Sequence, residues 1–322
     1  MKISLYRCFF SLALFLIPSS SSASFAQLEQ TAFNKRLKPD GSMQFAYQWR
    51  LDEKRYNLQF TLDQDQVLSL PLTAPNFSNQ MLNREVEVAL KRHAVALSQR
   101  GVQATVRKLP REISYSVTAP NQTTADIAIE ELEAVSHEAK QKYYERHYVV
   151  NFTDHLNRDF VQNDYVQYAS KSIEGLKPIV EAIKDIQENA SDSREFTKLA
   201  MTWLQSIPYN DLLNRNDSNG AGFLSPIDLL RRNVGDCDSK STLLAALLKA
   251  YDHNLRIHMV LLPQHALLAM SLPAQNDEQT LNINGRDMLL IEPTGPAHFG
   301  KGQVDGKSAL AILNRQYETL TF

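Results

Sequence analysis

Residues 45–51 and 56–62 alternate apolar and polar positions around a charged run of Asp52, Glu53, Lys54 and Arg55. That period of two predicts a β-hairpin with one buried face. Residues 83–99 carry apolar side chains at helical spacing, 102–117 read as one or two strands, and 124–148 predict a long charged helix preceded by Pro120. From about residue 165 the apolar periodicity lengthens. Residues 169–187 and 194–207 predict helices, the second capped by Ser191 or Ser193 and closed by Pro208. A short helix follows over 225–232, with Ser225 at its cap and Pro226 at its first position, an arrangement that helix starts favour. Residues 235–251 run from a turn into a strongly apolar helix. Strands are expected over 255–262, 265–272 and 288–292, with residues 275–286 as a polar loop. The pattern predicts an α+β protein with a small N-terminal domain over 27–164 and a second domain over 165–322.

The first 26 residues fall outside that scheme. Lys2 and Arg7 precede an apolar run over 8–18, and a serine-rich stretch leads to Ser24, Phe25 and Ala26. This is the layout of a signal peptide, and the apolar run is well short of the ~20 residues of a spanning helix. An exported chain, periplasmic or secreted, with no transmembrane helix after cleavage is therefore expected. The 322 residues are 43% hydrophobic and 22% charged with a net charge of −2, a composition that excludes disordered and disulfide-stapled classes. Without a Lys/Arg excess to neutralise phosphates, nucleic acid is not an expected partner.

Only Cys8 and Cys237 are cysteines, and Cys8 leaves with the leader. An unpaired thiol is unusual in an exported protein, where oxidation favours pairing. Gly235 permits a tight turn, Asp236 can cap the next helix, and Cys237 then falls in its first turn, where the macrodipole favours thiolate. Asp236 and Asp238 oppose this by like-charge repulsion. A positive partner is needed, and histidine is the usual one. His265 opens one predicted strand and Glu292 closes another; antiparallel pairing would set them opposite each other, the carboxylate holding one ring nitrogen. Spacing alone does not rank His265 above His258 or His298. Asp236 and Asp238 also admit a calcium site, since hard cations take several oxygens, although capping and dipole complementarity explain both without an ion.

With these residues in place, the chain resembles the transglutaminase-like superfamily, particularly its bacterial exported cysteine-peptidase-like members. The matching pieces come in order: Trp203 to Tyr209, Ser225 to Leu230, Gly235-Asp236-Cys237-Asp238-Ser239-Lys240 with its Leu/Ala helix, His265 and Ala266 after a strand, then Glu292 to Gly295. They cover about residues 165–300. The resemblance implies a papain-like core, a nucleophile helix packed on an antiparallel sheet. It assigns Cys237 as nucleophile, His265 as general base then acid, and Glu292 as the orienting acid. By the same resemblance, Gln205 is a candidate oxyanion donor beside the Cys237 backbone N–H. Two departures stand out: Glu292 replaces the more frequent Asp, and Leu267 stands where a large aromatic is common. The implied activity is acyl transfer through a Cys thioester. Hydrolysis of a peptide or protein amide is expected because water needs no second binding site, with a cell-surface protein or cell-wall peptide as the candidate substrate. A protein-glutamine transglutaminase and a catalytically silent binding module are the alternatives.

Overall fold

The alternation near the N-terminus becomes a three-stranded antiparallel sheet. In the computed structural model, which describes residues 28–109, 112–153, 159–189, 191–214 and 222–322, β1 (Leu28–Leu37), β2 (Met43–Leu51) and β3 (Lys54–Leu62) pair in that order. The expected leader, with Cys8, lies outside the described residues. Met43, Phe45, Tyr47, Trp49 and Leu51 of β2 and Tyr56, Leu58, Phe60 and Leu62 of β3 bury one continuous face. Helix α1 (Gln64–Ser69) follows under an Asp63 capping box.

The next segment has a core of its own. It comprises α2 (Asn79–Ser98), β4 (Gln103–Lys108), β5 (Ile113–Thr118), α3 (Gln122–Arg146), β6 (Val149–Thr153) and β7 (Asp159–Asn163). Leu82, Val86, Leu90 and Leu97 meet Val102, Ala128, Leu132 and Tyr143 there. Two antiparallel hairpins, β4–β5 and β6–β7, decorate the helix pair.

Helices α4 (Tyr165–Ser172), α5 (Lys177–Asp185), α6 (Ser193–Ser206), α7 (Pro226–Arg232) and α8 (Cys237–Tyr251) come next. The single helix expected over 169–187 is broken by a 3-10 turn over Glu174–Leu176, because Gly175 weakens the helix there and Pro178 starts a new one. Asp192, not Ser191 or Ser193, caps α6, accepting from the N–H groups of Arg194 and Glu195. Ser225 caps α7 and Pro226 opens it as predicted. Helix α8 is buried on all sides from Cys237 to Leu248, save for Asp238, which explains its apolar residues all round.

The remaining strands, β8 (Ile257–Leu262), β9 (His265–Met270), β10 (Thr280–Ile283), β11 (Arg286–Ile291) and, after α9 (Gly306–Leu313), β12 (Glu318–Thr321), form an antiparallel sheet ordered β10-β11-β9-β8-β12. The expected polar loop over 275–286 contains β10. Asn284 and Gly285, both at positive φ, make the tight turn into β11, a strong hairpin signal. One face of this sheet packs on α8 and the other on α9.

The cores divide the chain differently from the boundary expected at residue 164. The β1–β3 face belongs to the same apolar cluster as α4–α8 and β8–β9, whereas residues 82–149 supply the separate cluster. A three-stranded sheet with a fully apolar face needs a partner layer. Trp203 of α6 supplies it, edge-on to Tyr47 at 5.1 Å and to Phe60 at 6.1 Å between ring centroids.

Candidate active site

The turn before α8 forms where residue types demand it. Gly235 sits against Leu229 with no room for a Cβ, and its backbone pairs with Tyr209 as an isolated bridge. Asp236 then caps α8: one carboxylate oxygen accepts from the Ser239 backbone N–H at 2.9 Å and from the Ser239 hydroxyl. Cys237 follows as the first helical residue, buried and unpaired to any other cysteine.

Three groups surround the sulfur. The thiol approaches Asp238 Oδ1 at 3.5 Å, Tyr165 donates its hydroxyl to the other oxygen of Asp238 at 2.7 Å, and the backbone N–H of Ala266 bonds the sulfur. Ala266 is the neighbour of His265, so the start of β9 lies against the start of α8. Burial pushes the Cys237 thiol well above the ordinary range, and the charges of Asp238 and Asp236 push it further. The repulsion expected from the two acids is therefore present, with burial as the larger cause. The resting group is a thiol, and the helix dipole does not make it a free thiolate.

Asp236 itself is pushed up to about 7 by burial and by Asp238, against the hydrogen bonds from Ser239. Asp238 is raised chiefly by burial. One oxygen of Asp236 and both of Asp238 thus accept donors within the protein. Capping and the Tyr165 bond account for the placement of the two residues.

His265 emerges from the tight turn of Pro263 and Gln264 that joins β8 to β9. Its Nε2 lies 2.6 Å from Glu292 Oε2, and Glu292 is 1% exposed. The carboxylate accepts, so Nε2 carries the hydrogen and Nδ1 is the ring nitrogen left as a base. The two residues are not directly opposite. Leu289 pairs Met270 and Ile291 pairs Leu268, a register that sets Leu267 across from Glu292. The contact runs diagonally, over a span that diagonal neighbours bridge only with long side chains, and the extra methylene of Glu supplies that reach. Burial opposes protonation of His265, but the Glu292 hydrogen bond and charge, aided by Asp305 and Asp238, outweigh it and hold the imidazole above its usual value.

The ligand atoms of His265, Glu292 and Asp305 lie within 4.8 Å of one another, the cluster among the described residues with spacing suited to a metal. Asp305 also caps α9, accepting from the N–H groups of Lys307 and Ser308 and from the Ser308 hydroxyl. These bonds and the His265–Glu292 pair explain the cluster without an ion.

Gln205 has a different place from the one expected. Its Nε2 donates to the carbonyls of Glu292 at 2.6 Å and Phe299 at 3.0 Å, and its Oε1 accepts from His298 Nδ1 at 2.9 Å. Both amide hydrogens are engaged, so Gln205 has none to offer an oxyanion. It fastens the loop after β11 to α6 instead. Gly295 in that loop approaches so closely that a Cβ would fall on the Gln205 carbonyl. His258, another candidate, bonds Thr321 Oγ1 at 3.1 Å across the β8–β12 pair. Of the three histidines, His265 is the one paired to Glu292.

Cys237 and His265 line one cavity of about 520 Å³ together with Asp236, Asp238, Tyr209 and Leu213. The β6–β7 hairpin lines the same cavity through Phe152, Phe160 and Gln162. The two rings pack against each other at 5.0 Å, and Phe160, Tyr209 and Leu213 are exposed. Sequence reasoning did not place this hairpin near the nucleophile, because nothing local in residues 149–163 records which body they cover. Among the described residues no helix is long and apolar enough to cross a membrane. Comparison with protein-family models, with curated proteins and with solved structures returned no match for this chain.

Proposed function

We propose that the protein is an exported thiol-dependent acyl-transfer enzyme, a cysteine peptidase or amidase that works through Cys237, His265 and Glu292 on a transglutaminase-like, papain-like core. The observation that carries this reading is the 2.6 Å His265–Glu292 hydrogen bond at the rim of the cavity that holds the Cys237 thiol. The ordered run of motifs from Trp203 to Gly295 supports it.

Attack requires the thiol to lose its proton as the sulfur–carbon bond forms. His265 Nδ1 takes that proton, and Glu292 holds the resulting imidazolium through Nε2–H. The acyl oxygen gains the negative charge, and the Cys237 backbone N–H, one of the α8 first-turn amides without an intrahelical partner, is the donor this reading assigns to it. His265 then returns the proton to the leaving amine as the carbon–nitrogen bond breaks, which leaves a thioester. Water, deprotonated by the same nitrogen, cleaves the thioester and restores the thiol.

Wild type, Cys237→Ser and His265→Ala are compared on a pool of peptides, with mass spectrometry reading new C termini and any acyl adduct on Cys237. Cleavage by wild type, none by Cys237→Ser and cleavage about 10²- to 10⁴-fold slower by His265→Ala are the expected results. Equal behaviour of wild type and Cys237→Ser across the pool and on folded proteins would overturn the enzyme reading in favour of a binding module. A labelled primary amine in the same reactions separates hydrolysis from transfer.

A further inference from the structure

With both amide hydrogens of Gln205 engaged, the oxyanion of the proposed reaction is left with the Cys237 backbone N–H alone. A second donor must stand beside the nucleophile turn, line the same cavity and carry a hydrogen that no other group claims. Tyr209 meets all three conditions.

Residues 207–210 follow α6 and are fastened to the start of α8 at three points. The Gly235 N–H donates to the Pro208 carbonyl at 3.2 Å, and the Asn210 N–H donates to the Gly235 carbonyl at 3.3 Å. One turn along α8 from Cys237, Lys240 Nζ donates to the Ile207 carbonyl at 2.5 Å. Lys240 is 0% exposed, so water does not compete for that bond. The first two bonds make the parallel bridge of Tyr209 with Gly235, which sets the two backbones about 4.8 Å apart. Cys237 is two residues further on, at most about 7 Å of chain. Ile207 is buried and Tyr209 is 48% exposed: the segment turns its isoleucine into the core and its tyrosine to the cavity that Cys237 lines.

The Tyr209 hydroxyl makes no hydrogen bond among the described residues, whereas that of Tyr165, in the same cavity, is given to Asp238. Gln162, Gln264 and Gln316 also line the cavity, but no backbone bond ties them to residues 235–237. Burial, with the charges of Cys237 and Asp236 behind it, holds the Tyr209 phenol above its ordinary value of 10. It therefore remains a donor through neutral and moderately alkaline pH.

We propose that Tyr209 is a catalytic residue, the second donor of the oxyanion site: its hydroxyl hydrogen-bonds the acyl oxygen as Cys237 attacks. The phenol keeps its proton throughout, so the proton that moves is still the one His265 carries from the thiol to the leaving amine. This inference rests on the acyl-transfer reading of the same site.

The test compares a reaction of Cys237 that builds an oxyanion with one that does not. Acylation by p-nitrophenyl acetate passes through a tetrahedral oxyanion; displacement of iodide from iodoacetamide by the same sulfur does not. Wild type and Tyr209→Phe are compared as full chains at one pH. Acylation is read as the first-turnover release of p-nitrophenolate that Cys237→Ser lacks, and alkylation as the Cys237 adduct in mass spectrometry. Tyr209→Phe should acylate about 10²-fold more slowly, the lower end of the range for losing one oxyanion donor, with alkylation unchanged. Equal acylation by the two proteins overturns the proposal, and so does an equal slowing of both reactions, which would place the hydroxyl's effect on the thiol. A wild type that is alkylated but releases no Cys237-dependent p-nitrophenolate removes the acyl-transfer reading itself, and this inference with it.

Discussion

The Cys237 thiol and its two flanking carboxylates set the working pH of the site. Since burial and the charges of Asp238 and Asp236 all raise the thiol, the pH midpoint of its alkylation should lie above the ~8.5 of an ordinary cysteine. Asp238→Asn removes one of those charges and should lower the midpoint, read by iodoacetamide labelling across pH. No change in that variant would mean that burial alone governs the thiol. His265 is shifted the opposite way in functional terms. Its folded value lies above the usual 6.5, so the neutral base is reached later as pH rises, and the acid limb of kcat/KM should fall above that value. Glu292→Gln removes the carboxylate that holds the proton on the ring. The limb should then move to lower pH while kcat drops by roughly tenfold or more, because the imidazolium loses its acceptor. A limb that stays in place would show that Glu292 does not set the histidine's titration.

Local signals specify the elements that carry Cys237 and His265. Gly235 and Asp236 before an apolar run mark the start of α8 and so place Cys237, whereas Pro263 and Gln264 mark the turn before His265 without ranking it above His258 or His298, a choice that only the family resemblance makes. Their partners were less legible still. The diagonal His265–Glu292 contact depends on the β9–β11 register, and between those two strands in sequence lies β10, which a polar stretch concealed. Gln205 was misjudged for a related reason. An amide on a helix can face solvent, a substrate or a returning loop, and the loop that claims it arrives some 90 residues later. That loop closes on α6 only because Gly295 lacks a side chain where it meets the Gln205 carbonyl. Gly295→Ala should therefore push the loop away and release Glu292 from its position, lowering the melting temperature and kcat together. A variant with unchanged melting and turnover would show that the close approach is not what holds Glu292.

Across the whole molecule, the first three strands share one apolar core with the elements that carry Cys237 and His265, although about a hundred residues separate them from α4. The apolar face of β2 and β3 covers Trp203, a residue at the heart of α6 that is 0% exposed. Trp203→Ala should destabilise the chain by about 3–5 kcal/mol, the range for truncating a buried large aromatic, and a chain beginning at residue 165 should not melt cooperatively because that face of α6 would meet water. The intervening segment over 79–163 has a core of its own and touches the site through the β6–β7 hairpin. Its contribution is separable from folding. Phe160 is 44% exposed and lies outside both cores, so Phe160→Ala should lower the melting temperature far less than a core truncation such as Trp203→Ala. Phe152 and Phe160 add apolar surface to the cavity that holds Cys237, and apolar patches at a cavity mouth mark binding surfaces. A substrate segment lying between these rings and Cys237 would lose apolar contact in the variant. KM should then rise several-fold, with the alkylation midpoint of Cys237 little altered, since the ring carries no charge. If KM is unmoved and the melting temperature falls instead, the hairpin is a brace for the two bodies and the substrate binds along another side of the cavity.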